Sequence, residues 1–403
     1  MSLTFWLPLL IVLSSMIPGA LIFFLAEESV VARTILNLGG AILKLVFIGI
    51  MLIGVYRDVP YETRVPLMPG FDLVLEASAL AIFFVVLSGV LWLITTIYAI
   101  GYLEGSPNRS RFFGFFSVCV SATTGIALAG NLFTFIIFYE LLTLATYPLV
   151  VHRGTPESLK AGRVYLAYTL GGGAMLLLGV VWLHALVGPF DFQEGGVLAA
   201  YHGEYGHAFV GIFFLLIAGL GVKASLVPLH GWLPMAMVAP APVSALLHAV
   251  AVVKAGAYGI VRVVYDVYGV GYAGGIGVLK PLAIIAAVTI FYGSILALYQ
   301  TGLKRRLAYS TVSQVSYIVL GVAIAGPLAT VGGIVHLVHQ GLMKITLFFC
   351  AGNIAETLGV KKVSAMGGVA RRMPFTMLAF VVAALGMIGI PPTPGFISKW
   401  YLG

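Results

Sequence analysis

Long apolar runs recur along the chain, separated by short stretches that hold most of its charge. A helix needs ~20 residues to cross the roughly 30 Å hydrocarbon layer of a bilayer. Runs of that kind fall near residues 3–25, 34–55, 73–101, 112–129, 131–151, 162–187, 207–227, 242–265, 279–300, 307–325, 327–351 and 374–403. They lack the polar and apolar alternation of a strand, and outside closed barrels only a helix satisfies its own backbone in lipid. The pattern therefore predicts an all-α polytopic membrane protein with about twelve spans.

Two stretches interrupt it. After HAFVGIFFLLIAGL the chain reads GVKASLVPLHGWLPMA, where Lys223 is followed by Pro228, Pro234, Pro240 and Pro242. Proline removes a backbone donor and clashes with the preceding turn, so span 7 is expected to unwind there. Span 12 repeats the device in LGMIGIPPTPGFISKW, where Pro391, Pro392, Pro394 and Gly395 precede Lys399. Broken helices at membrane depth are tolerated where they are buried in protein or line a cavity, and paired breaks point to a transporter of inverted repeats. If spans 4–8 and 9–13 are the repeats, the breaks correspond and five helices per copy invert the second. The chain then divides into N-terminal helices 1–3 (1–111), a first repeat (112–265) and a second repeat (266–403). The sequence stops four residues past Lys399, so the second repeat is expected to be truncated at its C-terminus.

Composition agrees with lipid as the solvent: 61% of residues are hydrophobic and 9% charged, which excludes a water-soluble core. Cys119 and Cys350 both lie in apolar runs and read as small core residues, with no disulfide framework or metal set. The first apolar run has no basic region before it and reads as a retained helix. The net charge of +8 is explained by topology. Loops after spans 1, 3, 5, 9 and 11 carry Arg33, Arg109, Arg111, Arg153, Lys160, Arg163, Lys304, Arg305, Arg306, Lys361, Lys362, Arg371 and Arg372, whereas the opposite loops carry Arg57, Arg64, Arg262 and Lys280. Odd loops are thus expected on the cytoplasmic side and the N-terminus outside, with no need for a nucleic-acid partner.

Five lysines remain inside spans, Lys44, Lys223, Lys254, Lys344 and Lys399, against one deep acid, Glu140. A charge at mid-membrane costs ~2.5–3.5 kcal/mol on insertion scales, so such residues need an aqueous path or one another. Burial disfavours a charged amine and a nearby carboxylate favours it, which makes a buried lysine with a movable partner a proton relay element. His336, Gln340 and Lys344 are spaced i, i+4, i+8 and share a helix face, as the wall of a hydrated channel would; His339 falls on a neighbouring face. His248 and Lys254, six residues apart, occupy different faces, and Lys254 is taken as the carrier. His248, and His230 in the irregular stretch, are secondary candidates with packing as the alternative. Lys44 lacks an accompanying polar group and could snorkel to an interface, so it stays outside the candidate site.

FYELLTLATYPL, KASLVPLHGWLPMAMVAPAPVSALLHAVAVVKAGAYGIVR, LKRRLAYSTVSQVSYIVLG, HLVHQGLMKITLFFCAGNI and GIPPTPGFISKW closely resemble the antiporter-like subunits shared by Mrp-type sodium/proton antiporters and respiratory complex I. The resemblance runs from about residue 75 to the end, and the final SKW looks most like the D-type branch of the Mrp subunits and its relatives in membrane-bound hydrogenases. It implies about fourteen spans in a full-length relative. It further implies that Glu140 and Lys223 pair at a first half-channel, that Lys254 is the central carrier, that His336 or His339 with Lys344 bridges the repeats, and that Lys399 serves a second half-channel. The implied function is a proton-translocating subunit of a larger complex in a prokaryotic cytoplasmic membrane, with other hydrophobic subunits as partners and sodium as a candidate second ion. Alternatives are the homologous subunit of an NADH:quinone oxidoreductase or membrane-bound hydrogenase, a stand-alone secondary transporter, and an assembly scaffold. With no cysteine cluster and no glycine-rich phosphate loop, no cofactor, metal or redox site of its own is expected.

Overall fold

The computed structural model describes residues 3–402, and among them the apolar runs are helices. In chain order these are α1 (Leu3–Ile22), α2 (Val30–Tyr56), α3 (Ala79–Tyr102), α4 (Arg109–Leu128), α5 (Leu132–Val150), α6 (Pro156–Val187), α7 (His202–Ala224), α8 (Trp232–Met235) and α9 (Ala241–Ala245). They continue as α10 (Val252–Arg262), α11 (Val270–Gly275), α12 (Leu279–Tyr299), α13 (Leu303–Ile324), α14 (Pro327–Leu358), α15 (Val369–Arg372), α16 (Pro374–Ile388) and α17 (Pro394–Trp400). Eleven helical segments among the described residues are long and apolar enough to cross a membrane, with Ala241–Tyr268 counted as one; Pro374–Ile388 is a shorter apolar helix.

Local chemistry sets several boundaries. The Asn131 side chain accepts from Thr134 N at 2.8 Å and starts α5, and Thr155 accepts from Ser158 N ahead of Pro156 and Glu157 at the start of α6. Ser78 does the same for α3. The α3 start corrects the sequence-based boundary at residue 73 and the purely helical expectation. Residues Glu62–Met68 and Phe71–Glu76 form an antiparallel hairpin, β1 and β2. β2 continues onto the α4–α5 junction through a bridge from Leu75 to Ala129, and Val74 N donates to Thr134 Oγ1 at 2.8 Å.

Segment Ala241–Tyr268 runs through the interior, buried at every position except Tyr265, with α4, α5, α7, α13 and α14 packed against it. It is not uniform helix, because Leu246–Val250 and Val263–Tyr268 are π-helical. Single π turns interrupt α-helices frequently at functional sites. The outward faces of α2, α6 and α12 present Leu and Ile side chains, as lipid-facing helices do.

Chain breaks occupy both proline-rich stretches. α7 ends at Ala224, Ser225 takes a left-handed conformation at φ 59°, and Pro228 lies in the irregular turn before α8, which contains Pro234. The indole Nε1 of Trp232 donates to the Val222 carbonyl at 2.7 Å, satisfying part of the orphaned helix end. In the second stretch α16 ends at Ile388, Pro391 and Pro392 lie in the turn, and Pro394 and Gly395 open α17. Gly395 packs on the Gly386 carbonyl so closely that a Cβ there would sit 1.9 Å from the oxygen.

Candidate functional site

Glu140 and Lys223 come from α5 and the last turn of α7, but they do not touch. The Lys223 ammonium donates to the Tyr139 carbonyl and lies 3.3 Å from the Tyr139 ring centroid. Tyr139 in turn donates from its hydroxyl to the Gly219 carbonyl at 3.0 Å, fastening α5 to α7. Glu140 is half-buried, and its Oε1 has no hydrogen-bond partner. The carboxylate occupies the space left by Gly173 of α6, where a Cβ would lie 2.1 Å from Oε1. Ion pairs within 4.0 Å among the described residues involve Arg64, Arg109, Arg153 and Arg262, and do not join Glu140 to Lys223. The direct pair implied by the family resemblance is thus absent in this conformation.

Lys254 projects from α10 onto α14 and donates to the Leu337 carbonyl. The neighbouring residue, His336, shares a hydrogen bond of 2.8 Å between Nδ1 and Ser398 Oγ on α17, and its Nε2 is buried without a partner. Beside Ser398, Lys399 donates to the Met387 carbonyl at 2.5 Å, across the break between α16 and α17, and lies 5.1 Å from the Tyr317 ring centroid. Two consecutive residues of α14 therefore meet a lysine of the first half and the α17 segment of the second. His339, also on α14, is half-buried with Nδ1 unpartnered.

Gln340 and Lys344 follow His336 along the buried face of α14. Gln340 Nε2 donates to the His248 carbonyl at 3.2 Å, and Lys344 donates to the Leu307 carbonyl at 3.0 Å and to Ser310 Oγ on α13. His248 sits in the π-helical turn, stacked on Phe348 at 4.5 Å, with both ring nitrogens buried and unpartnered. His230 is apart from this row, packed edge-on against Tyr292 at 4.9 Å. Lys223, Lys254, Lys344 and Lys399 share one device: each amine rests on a main-chain carbonyl of another segment, and none is held by a carboxylate within 4.0 Å. Such a contact solvates an ammonium without fixing its charge state, because a carbonyl is a neutral acceptor.

A cavity of about 630 Å³ opens beside α8 at the end of the molecule that carries Arg153, Lys160, Lys304 and Lys361. Lys304 closes part of its wall by donating to the Ala239 carbonyl at 2.5 Å. At the α5–α6 turn nearby, burial together with repulsion from Arg111 and Arg153 pushes the His152 imidazole down to about 4.

Arg33 and Arg262, assigned to loops, and Lys44, left outside the site, sit differently from the sequence reading; Arg33 is buried in α2 and donates to Ser110 Oγ at 2.8 Å. Arg262, assigned to a loop, lies in the last turn of α10, where Nη1 contacts Asp266 Oδ2 at 2.5 Å and Nη2 donates to the Ala129 carbonyl. Their i, i+4 spacing was the available signal. Lys44, read as lacking polar company, is fully buried and donates to Thr124 Oγ1 of α4 at 2.7 Å.

A helical membrane protein with a buried row of amines and histidines between two broken helices is the class that these features define. The chain belongs to the family described as NADH:quinone oxidoreductase/Mrp antiporter, TM, which matches residues 129–402. It is 40% identical over 337 residues to the NADH-quinone oxidoreductase N subunit of Desulforudis audaxviator (strain MP104C), covering 83% of this chain and 66% of that protein, just under two thirds of the relative's length. The Na(+)/H(+) antiporter D subunit of Bacillus subtilis (strain 168) is 28% identical, with 98% of this chain and 78% of that protein aligned. The structure of the Mrp complex from Dietzia sp. DQ12-45-1b contains a chain that superposes with a TM-score of 0.85 at 25% identity, covering 100% of this chain and 74% of that one.

Proposed function

We propose that this chain is a proton-translocating, antiporter-like subunit of a multisubunit membrane complex. Protons move along Glu140, Lys223, Lys254, His336 or His339, Lys344 and Lys399. The observation that carries the reading is the double contact of α14: Leu337 receives Lys254 while adjacent His336 holds Ser398, next to Lys399. A histidine with one free buried nitrogen between two amines suits a proton handed in either direction. The two breaks are read as the equivalent elements of inverted repeats 112–265 and 266–403, and the second places the Met387 carbonyl, on which Lys399 rests, at its edge. Glu140 modulates Lys223 by approaching or leaving it, since at present separation neither is locked by the other.

The basic end, with its 630 Å³ cavity, faces the cytoplasm of a prokaryotic cell on this reading, and the N-terminus faces out. Partners are other hydrophobic subunits of the complex. An Mrp-type cation/proton antiporter is the favoured host, supported by the match along nearly the whole chain to the Bacillus antiporter protein and by the superposition on the Mrp chain. The Desulforudis relative favours an NADH:quinone oxidoreductase as the second host, because its identity is higher. The test is to purify the assembly, identify its chains by mass spectrometry and measure proton movement in sealed vesicles with and without sodium. Flux in Lys223→Ala or Lys254→Ala equal to wild type overturns the relay.

A further inference from the structure

The N-terminal helices hold a second polar system, apart from the row above. A cavity of about 220 Å³ opens between α2, α3 and α4 at the basic end, lined by Arg33, Asn37, Ile100, Glu104, Arg109 and Phe113, among others. From it, polar groups step inward on all three helices at whole-turn spacings. On α3, Thr96 is one turn beyond Ile100 and Trp92 one turn further, with Ser88 another turn on. On α2, Lys44 is two turns beyond Asn37, and on α4, Thr124 is two turns beyond Ser117. The contacts close the file. Ser117 donates to Asn37 Oδ1 at 3.4 Å, and Lys44 donates to Thr124 while standing 5.2 Å from the Trp92 ring centroid.

Three members of the α3 face, Ser88 Oγ, Trp92 Nε1 and Thr96 Oγ1, are buried polar atoms without a partner among the described residues. Buried polar groups in native proteins are satisfied by protein or by ordered water, so a file of three unpartnered groups next to a buried amine marks water positions. The charged groups near this route are Arg33 on α2, Glu104 at the exposed turn after α3, and Arg109 on α4 with Glu27; none of the carboxylates pairs with Lys44 within 4.0 Å.

We infer that Lys44 is a proton-accepting site reached by water from the basic face through this cavity, on a path separate from the Glu140 to Lys399 row. The step is a simple transfer: the lone pair of a neutral Nζ takes a proton from hydronium in the file, forming N–H and leaving water. Neither the identity of the host complex nor the activity of the main row enters into it.

Carbamylation by cyanate, read by mass spectrometry of the intact complex in vesicles, tests the site without any flux measurement. Cyanate reacts, as isocyanic acid, with a neutral, water-accessible amine, so Lys44 should be modified, with exposed Lys361 as reference. Thr96→Val should slow Lys44 about tenfold while leaving Lys361 unchanged. As an independent measure, Thr96→Cys in a Cys119→Ala, Cys350→Ala background should react with a membrane-impermeant sulfonate thiol reagent applied to the basic face, about tenfold faster than Ile97→Cys. Ile97 is 58% exposed on the outer side of the same turn. No carbamylation of Lys44, an unchanged rate in Thr96→Val, or equal thiol reactivity at 96 and 97 overturns the inference.

Discussion

At the scale of single residues, the buried lysines differ from ordinary ion-paired cations in what holds them. Lys254 rests on one carbonyl and Lys344 on a carbonyl and a hydroxyl, so each can lose its proton without stranding a buried carboxylate. Glu140 lacks such a partner: its Oε1 is unpartnered, and it lies beyond ion-pair distance of Lys223. Glu140→Gln, which keeps the shape and removes the charge, should lower vesicle proton flux by at least about tenfold while leaving assembly yield unchanged. A second residue-scale expectation concerns pH. His152, outside the spans, is held neutral by burial and by Arg111 and Arg153, with its folded value at about 4. An unfolded histidine takes its proton near pH ~6.5, so the unfolded state binds more protons below that pH and stability falls as pH drops from ~6.5 toward 4. Thermal inactivation of the purified complex should therefore occur at lower temperature at pH 5 than at pH 7, and His152→Gln should flatten the dependence. That charged side chains lie buried in these helices was legible from cost alone, since a charged residue in an apolar run is conspicuous. Their partners were not legible, because Tyr139, Leu337 and Leu307 offer main-chain carbonyls that every residue has.

At the scale of elements, proline clustering located both breaks because its effect is local to the backbone. What stabilises the breaks is distant in sequence: Trp232 reaches back ten residues to the Val222 carbonyl, and Lys399 reaches twelve to Met387. Trp232→Phe should remove that donor alone and destabilise the α7–α8 break by about 1 kcal/mol, measured as a lower inactivation temperature. Close approach between helices is equally specific. Gly173→Ala places a methyl 2.1 Å from Glu140 Oε1, which the carboxylate end of a flexible side chain can escape by moving. The expected result is an assembled complex with flux reduced toward that of Glu140→Gln, and unchanged flux would show that the carboxylate position is immaterial. The hairpin escaped sequence reading for a related reason. FDLVLE is an apolar run contiguous with α3 apart from Ala77 and Ser78, so hydropathy merges strand and span, and only the β1 pairing and the bridge to Ala129 separate them. Arg262 was misplaced because charge at the end of an apolar run reads as loop, whereas the π-helical continuation to Tyr268 carries it inside.

At the scale of the molecule, the row crosses from the α7–α10 half to the α13–α17 half through one helix, and this arrangement makes a quantitative demand. Lys254 reaches α14 at Leu337, and Ser398 with Lys399 reaches it at His336, so on the proposed relay a proton passing between halves crosses α14 here. Steps in series share one flux: once any step is blocked, blocking a second costs nothing further. Two independent half-channels would behave otherwise: their fluxes add, so each single variant would keep the share of the other half and only the double variant would lose both. Lys254→Ala and Lys399→Ala should each lower flux by at least about tenfold, and the double variant should sit at the level of the more damaged single, a non-additivity characteristic of groups acting as a unit. His336→Ala should reach the same floor, whereas His230→Ala, which alters a histidine packed against Tyr292 away from the row, should leave flux within about twofold of wild type. The measurement is initial proton uptake in vesicles under one imposed gradient for wild type and the five variants, normalised to complex content. Single variants that each keep a large share of the flux, with a double variant that loses both shares, would mean that the halves conduct separately and that the contact at His336 and Leu337 is packing.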